Sequence, residues 1–232
     1  MKKNTKLWST FFCEKDFEVV EFHHQINPKI KICPMYFELG FSPSPMIYGR
    51  YAVLSRLLIA MSHLPSTYGF IIWDIYRPRS VQATLFNWMK KEIQKKHPSL
   101  NEQEIQEETK KYMSAPSAIG DQYCPPHLSG GAVDLTLYDL STGKELDMGT
   151  PFDDCTERAH RDYFNLILES SDEEKRILER RKVLRDAMEN AGFTSYQYEW
   201  WHFDIGNIFW SRATHSPAVF GPLFGDEEWP VG

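Results

Sequence analysis

The sequence of 232 residues has little of what several classes of protein need. Its four cysteines form no CxxC pair, so the sequence favours reduced thiols over a disulfide scaffold. Lys and Arg total 26 against 32 Asp and Glu, and the net charge of -6 lacks the basic excess that meets nucleic-acid phosphates. No apolar run approaches the roughly 18 residues of a membrane span. We therefore expect neither nucleic acid nor a membrane as partner.

The N-terminal segment also lacks the core of a signal peptide. Its apolar residues are interrupted by Glu14, Lys15 and Asp16 before a continuous run can develop. The sequence thus predicts a soluble, cytoplasmic protein, or a periplasmic one if a signal has been removed. Oligomeric state is left open, because the sequence has no coiled-coil heptads or obvious apolar stripe.

The sequence does contain enough apolar residues for one sizeable core. Hydrophobic residues make up 42% and aromatic residues 14% of the chain, and no repeat or low-complexity linker divides it. One domain over residues 1–232 is the expectation. Helical and strand patterns follow one another without regular βαβ alternation. They predict an α+β fold with a central, mostly antiparallel sheet flanked by helices.

Apolar spacing, turn residues and capping residues predict the individual elements. They are helices over 49–64, 80–96 and 171–190, strands over 67–76 and 193–205, and a turn that leads into a strand within 129–139. A capping box formed by Ser171 and Glu174 begins the last of these helices, and Ser99 with Glu102 predicts the start of another.

An aspartate inside a predicted strand is the first sign of a functional site. Asp134 lies between Val133 and Leu135, and a buried carboxylate requires a partner or a metal ion. The glycine-containing stretch LSGGAV lets the chain turn sharply, so that His127 can approach Asp134. This pair alone fits either a metal site or a structural hydrogen bond.

The segment Glu199-Trp200-Trp201-His202 adds a second cluster. His127, Asp134 and His202 would give Zn²⁺ three ligands and leave a tetrahedral position open for water, which is the catalytic arrangement. Glu199 would be the general base. On an ideal strand, residues 199 and 202 face opposite sides, so the backbone must twist or bulge there. The alternative is an aromatic core strand with an incidental acid.

Arg77 follows the predicted strand over 67–76. A guanidinium at a strand end can stabilise the oxyanion that develops when a carbonyl is attacked. The alternative for this residue is an ion pair with a nearby acid.

Four blocks of sequence together resemble the zinc D-alanyl-D-alanine dipeptidases of the vancomycin-resistance type, in peptidase family M15. They are WDIYRP at 73–78, PHLSGGAVDLTLYD at 126–139, DMGTPFDD at 147–154 and MENAGFTSYQYEWWHFD at 188–204. The similarity covers about residues 45–210, and the segment 1–44 has no clear counterpart.

The resemblance implies the fold of D,D-carboxypeptidases and the hedgehog signalling domain, with one Zn²⁺ per chain. It implies that His127, Asp134 and His202 hold the zinc, that Glu199 is the catalytic base, and that Arg77 polarises the scissile carbonyl. The implied substrate is D-Ala-D-Ala or a closely related small dipeptide.

The resemblance also implies that Asp153 holds the ammonium group of the substrate. Two alternatives stay open. One is a D,D- or L,D-carboxypeptidase or endopeptidase that acts on peptidoglycan stem peptides, and the other is a non-catalytic zinc-binding module. The sequence does not choose between antibiotic resistance, wall recycling and nutrient use.

One position departs from the family pattern Ser-x-His-x-x-Gly-x-Ala-x-Asp. Pro125 stands where the serine belongs, although His127, Gly130, Ala132 and Asp134 all fit. Proline has neither a hydroxyl nor an N–H group, so it cannot make the hydrogen bond that the resemblance implies near the substrate amine. The loss is worth about 1 kcal/mol. We expect Pro125 to affect specificity more than the hydrolytic machinery.

Overall fold

The computed structural model describes residues 11–230. Residues 1–10, on which part of the signal-peptide argument depends, lie outside the described residues. The strands are β1 (Val19–Phe22), β2 (Ile30–Ile32), β3 (Ile47–Arg50), β4 (Tyr68–Asp74), β5 (Ala132–Asp139), β6 (Thr194–Ser195) and β7 (His202–Asp204). The helices are α1 (Met35–Glu38), α2 (Tyr51–His63), α3 (Arg79–Lys96), α4 (Glu102–Tyr112), α5 (Asp172–Asn190) and α6 (Ile208–Thr214).

A mixed sheet with the strand order β2-β4-β5-β7-β6 forms the centre of the fold. Strand β4 pairs antiparallel with β5, β5 with β7, and β7 with β6, whereas β2 runs parallel to β4. Strands β1 and β3 form a separate antiparallel ribbon. Helices and antiparallel strands mixed in this way confirm the predicted α+β class.

The two central strands are buried almost along their whole length. In β4 residues 69–74 are buried, and in β5 residues 132–138 are buried. Both strands are rich in the β-branched and aromatic side chains that suit a packed sheet. Helices α2 and α5 pack against each other and share this core. Asp74 and Asp134 are thus carboxylates within an apolar layer, where each needs a polar partner.

Helices α3 and α4 form a hairpin with an apolar cluster of its own. Leu85, Met89 and Ile93 of α3 pack with Ile105 of α4 and with Tyr36 of α1. Among the helices of residues 11–230, none is long and apolar enough to cross a bilayer.

The predicted boundaries of α2, α3 and α5 agree with the structure to within two residues, but the cap predicted at Ser99 is wrong. Helix α4 begins after Asn101, whose side chain accepts hydrogen bonds from the backbone N–H groups of Gln103 and Glu104. The Glu104 carboxylate accepts from the Asn101 N–H in return. Asparagine is among the strongest N-cap residues, and its position two residues after Ser99 moves the helix start.

The strand predicted over 193–205 is also wrong as one element. It consists of β6 and β7, which pair with each other, with a turn over residues 196–201 between them. The Tyr196 N–H donates to the His202 carbonyl, and the His202 N–H to the Glu199 carbonyl. Glu199 therefore lies in the turn before β7, so the opposite-face problem of an ideal strand does not arise.

Candidate metal centre and active site

Two of the predicted ligands lie on neighbouring strands, directly opposite each other. Asp134 of β5 and His202 of β7 are register partners, and Asp134 Oδ1 lies 3.0 Å from His202 Nδ1. His127 lies on the 3₁₀ turn before β5. Its Nε2 lies 3.2 Å from Asp134 Oδ2 and 3.2 Å from His202 Nδ1. One ligand atom from each residue lies within 4.8 Å of the others.

The turn that brings His127 to this place depends on a left-handed glycine. Gly130 ends the 3₁₀ turn with a φ of 67°, and its N–H donates to the His127 carbonyl. A Cβ atom at Gly130 would lie 2.8 Å from a Leu223 methyl carbon. Glycine therefore satisfies both the backbone conformation and the packing here.

The acceptors around each imidazole influence which of its nitrogens carries the proton. His127 Nδ1 lies 2.8 Å from the Ile75 carbonyl oxygen, which can only accept, so Nδ1–H donates and Nε2 keeps its lone pair. His202 Nε2 lies 3.0 Å from Asp204 Oδ1. When Nε2–H donates to that carboxylate, His202 Nδ1 has the free lone pair.

The ligand atoms therefore bring two nitrogen lone pairs and a carboxylate together in a buried place. His127, Asp134 and His202 are all buried. The nitrogen lone pairs and the carboxylate charge repel one another unless a cation lies among them. The donor chemistry fits Zn²⁺, and a His/His/Asp set also accepts other divalent ions. The three residues can thus hold a metal ion.

Arg77 is anchored beside this group by several partners. Its Nε donates to Asp74 Oδ2 at 2.9 Å and its Nη1 to Gln82 Oε1 at 3.1 Å, while Nη2 lies 3.4 Å from Asp134 Oδ2. The guanidinium also lies over the Tyr36 ring, 4.5 Å from its centroid. Burial alone would lower the pKa of Arg77, but its acidic neighbours raise it above the ordinary value. Arg77 thus forms ion pairs with Asp74 and Asp134, as the alternative interpretation of this residue predicted. The same contacts hold it next to the predicted metal ligands.

Glu199 lies next to the predicted ligand His202. Its Oε2 lies 3.8 Å from His202 Nδ1, and 20% of its side chain is exposed. Burial raises the pKa of Glu199 to about 8, and the negative charges of Asp134 and Asp153 act in the same direction, although His202 opposes them. Its distance from His202 Nδ1 suits a general base beside the ligand group.

Asp153 adopts an unusual backbone conformation for a residue other than glycine. Its φ is 58°, a region that costs free energy and that is over-represented at functional sites. The Tyr36 hydroxyl donates to Asp153 Oδ1 at 3.2 Å. Burial raises the pKa of Asp153 to about 6, although the charge of Arg77 opposes this shift.

All the residues predicted for the site line one cavity of about 360 Å³. They are Arg77, His127, Asp134, Asp153, Glu199 and His202, and Pro125 lines the same cavity. Lys110, Lys111 and Arg212 also line it, so the cavity presents groups of both charges.

Sequence reasoning missed several supporting residues. Asp74 and Tyr36 contact Arg77, and Asp204 contacts His202. Asp74 and Asp204 are carboxylates within apolar strands, the same signal that identified Asp134. Tyr36 gave no such signal, because it lies in the segment without a recognised counterpart.

Comparison with known proteins points to one family. Residues 45–216 match the model of peptidase family M15 described as D-ala-D-ala dipeptidase. A D-alanyl-D-alanine dipeptidase of Enterococcus faecalis is 33% identical over 165 residues, which cover 68% of this chain and 73% of the relative. One from Enterococcus faecium is 32% identical over 164 residues, 68% of this chain and 72% of the relative. One from Synechocystis is 28% identical over 183 residues, 74% of this chain and 73% of the relative.

Proposed function

Because the chain belongs to peptidase family M15, the D-ala-D-ala dipeptidases, we propose that it is a zinc-dependent dipeptidase that hydrolyses D-Ala-D-Ala or a closely related small dipeptide. The observation that carries this proposal is the convergence of His127, Asp134 and His202 in the cavity that also holds Glu199 and Arg77. A zinc-binding module without catalysis would need neither of the last two residues.

His127 Nε2, an Asp134 oxygen and His202 Nδ1 are the atoms that would hold the ion. When bound, zinc supplies Lewis acidity, which makes water acidic enough to act as a nucleophile near neutral pH. Each of the two histidines has an acceptor for the proton on its other ring nitrogen: the Ile75 carbonyl for His127 and the Asp204 carboxylate for His202. The ligand set is therefore oriented by the surrounding protein.

Glu199 moves the proton during hydrolysis. Its carboxylate takes a proton from the attacking water as the new C–O bond forms, and it delivers this proton to the leaving nitrogen as the C–N bond breaks, which returns the carboxylate to its starting state. The distance of 3.8 Å between Glu199 Oε2 and His202 Nδ1 supports this role.

Arg77 stabilises the negative charge that develops on the carbonyl oxygen of the scissile bond. A guanidinium held by Asp74 and Gln82 needs little reorganisation when that charge develops. Its raised pKa keeps it cationic throughout the reaction.

The charges around the cavity suit a ligand with both termini free. Asp153 offers a carboxylate to the substrate ammonium group, and Arg212 offers positive charge to the terminal carboxylate. Lys110 and Lys111 also line the cavity, but they are paired with Glu107 and Glu108. A volume of about 360 Å³ lies near the lower end of the range for ligand cavities, about 300–1,000 Å³. A free small dipeptide satisfies both conditions.

The test compares free D-Ala-D-Ala with a pentapeptide that ends in the same two residues, as peptidoglycan stem peptides do. We expect release of D-Ala from the free dipeptide only, its loss on treatment with a chelator, and its return with Zn²⁺. Faster release from the pentapeptide would identify a carboxypeptidase instead. Zinc binding without hydrolysis of any D,D- or L,D-dipeptide would identify a binding module.

Replacing Pro125 by serine is expected to strengthen substrate binding. Serine restores a hydroxyl at the wall of the cavity, and one hydrogen bond of about 1 kcal/mol lowers KM about fivefold. Steady-state kinetics on D-Ala-D-Ala checks this. The matched control is Pro125→Ala, which removes the ring without supplying a hydroxyl. An equal fall in KM for both variants would assign the effect to the backbone.

A further inference from the structure

A chain of hydrogen bonds extends from His202 to the start of helix α6. Asp204 Oδ1 accepts from His202 Nε2 at 3.0 Å and from Asn207 Nδ2 at 2.6 Å. Asn207 Nδ2 also lies 3.2 Å from the Gly131 carbonyl oxygen. His202, Asp204 and Asn207 are all buried, so these contacts are shielded from water.

The strand geometry explains why Asp204 reaches His202. The two residues are two positions apart on β7, and such residues share one face of a sheet. Gly131 directly precedes β5, the strand that bears Asp134. Asn207 thus links the strand of one ligand to the strand of another.

The orientation of the Asn207 amide is fixed because Asn207 also caps helix α6. Its Oδ1 accepts hydrogen bonds from the backbone N–H groups of Phe209 and Trp210, which caps helix α6. The amide nitrogen must then face Asp204 and Gly131, where both partners are acceptors. Asn207 cannot rotate without losing all of these bonds.

His202 has competing acceptors on its two sides. Asp134 Oδ1 lies 3.0 Å from Nδ1, and Asp204 Oδ1 lies 3.0 Å from Nε2. If the proton of the neutral ring lay on Nδ1, it would bond Asp134 and the nitrogen could not bind a metal ion. A proton on Nε2, bonded to Asp204, instead leaves Nδ1 free to bind a metal ion.

We propose that Asp204 is a positioning residue for the metal centre, which holds His202 with its proton on Nε2, and that Asn207 acts by orienting Asp204. The inference rests on the proposed metal-binding function. It assigns to β7 and the cap of α6 a role in metal affinity, in addition to their role in the fold.

The experiment measures the dissociation constant of Zn²⁺ for the full chain by competition with a chromogenic chelator. We expect Asp204→Ala to weaken zinc binding by about 10–100-fold, as loss of an outer-shell partner does. Asp204→Asn keeps an oxygen that can accept from Nε2–H, so it should lose less. Asn207→Ser keeps a helix-capping hydroxyl but removes the amide donor, and we expect a loss of about fivefold.

A double variant tests whether Asn207 acts through Asp204. In the Asp204→Ala background, Asn207→Ser should cause no further loss of zinc affinity, because its target is gone. Additive losses would overturn the part assigned to Asn207.

A second readout separates positioning from simple stabilisation. The increase in Tm on addition of Zn²⁺ reports binding to the folded state, so it should shrink in Asp204→Ala relative to the wild type. The control is Ser171→Ala, which removes the cap of α5 away from the site. That variant should lower Tm with and without zinc alike.

Wild-type zinc affinity in folded Asp204→Ala, or an equal loss in Ser171→Ala, would overturn this inference while leaving the proposed function intact. If Asp204→Ala does not fold, Asp204→Asn and Asn207→Ser decide by the same criterion. A wild-type protein that binds no zinc would overturn the proposed function and this inference together.

Discussion

Replacing Glu199 by glutamine will slow the hydrolysis of D-Ala-D-Ala by about 10²–10⁴-fold while the protein keeps its metal ion. Glutamine has nearly the same size as glutamate, but its amide cannot take a proton from water. The Glu199 carboxylate lies 3.8 Å from His202 Nδ1 and is not one of the grouped ligands. The effect should therefore fall on kcat, with zinc content unchanged.

The measurement combines kcat with elemental analysis of the purified variant. Glu145→Gln is a matched control, because burial raises the pKa of that glutamate as well but Glu145 is not among the residues that line the cavity. It should retain wild-type turnover. A Glu199→Gln enzyme with near-normal kcat would remove Glu199 from the mechanism, and loss of zinc from it would make Glu199 a ligand instead.

The grouping of His127, Asp134 and His202 could be predicted because a polar residue is unusual in a buried, apolar stretch of sequence. Asp134 lies in an apolar stretch of sequence, and the structure buries that stretch in the centre of the sheet. The cost of an unpaired buried carboxylate then required partners, and His127 and His202 are among them. The sequence did not contain the register that pairs Asp134 with His202, since strand pairing over such a distance is decided by tertiary packing.

The supporting residues were harder to predict because they depend on local geometry. The break between β6 and β7 places Glu199 in a turn, and aromatic, β-prone residues on both sides concealed that break. Asp153 has a positive φ, which the residue types at positions 152–154 do not predict. Tyr36 contacts both Arg77 and Asp153 from a segment where the resemblance is lost. A residue that acts by orienting another side chain has no sequence pattern of its own from which this role could be predicted.

Replacing His127 by asparagine will remove the metal ion and reduce hydrolysis to background. The asparagine amide can still donate to the Ile75 carbonyl, as His127 Nδ1 does at 2.8 Å, but it supplies no counterpart of Nε2. Two of the grouped ligands then remain, Asp134 and His202. The loss of zinc affinity should exceed the roughly 10–100-fold caused by an outer-shell change, because a ligand itself is removed.

Dialysis followed by elemental analysis measures this loss, and two further variants show its cause. His127→Ala should lose zinc equally but should also be less stable by about 1–3 kcal/mol, because it leaves the Ile75 carbonyl without its donor. His63→Ala alters an exposed histidine at the end of α2 and should change neither property. Zinc retained at wild-type levels in both His127→Asn and His127→Ala would place the metal elsewhere. Zinc lost only in His127→Ala would mean that the site depends on the position of the backbone at Ile75 and not on the imidazole.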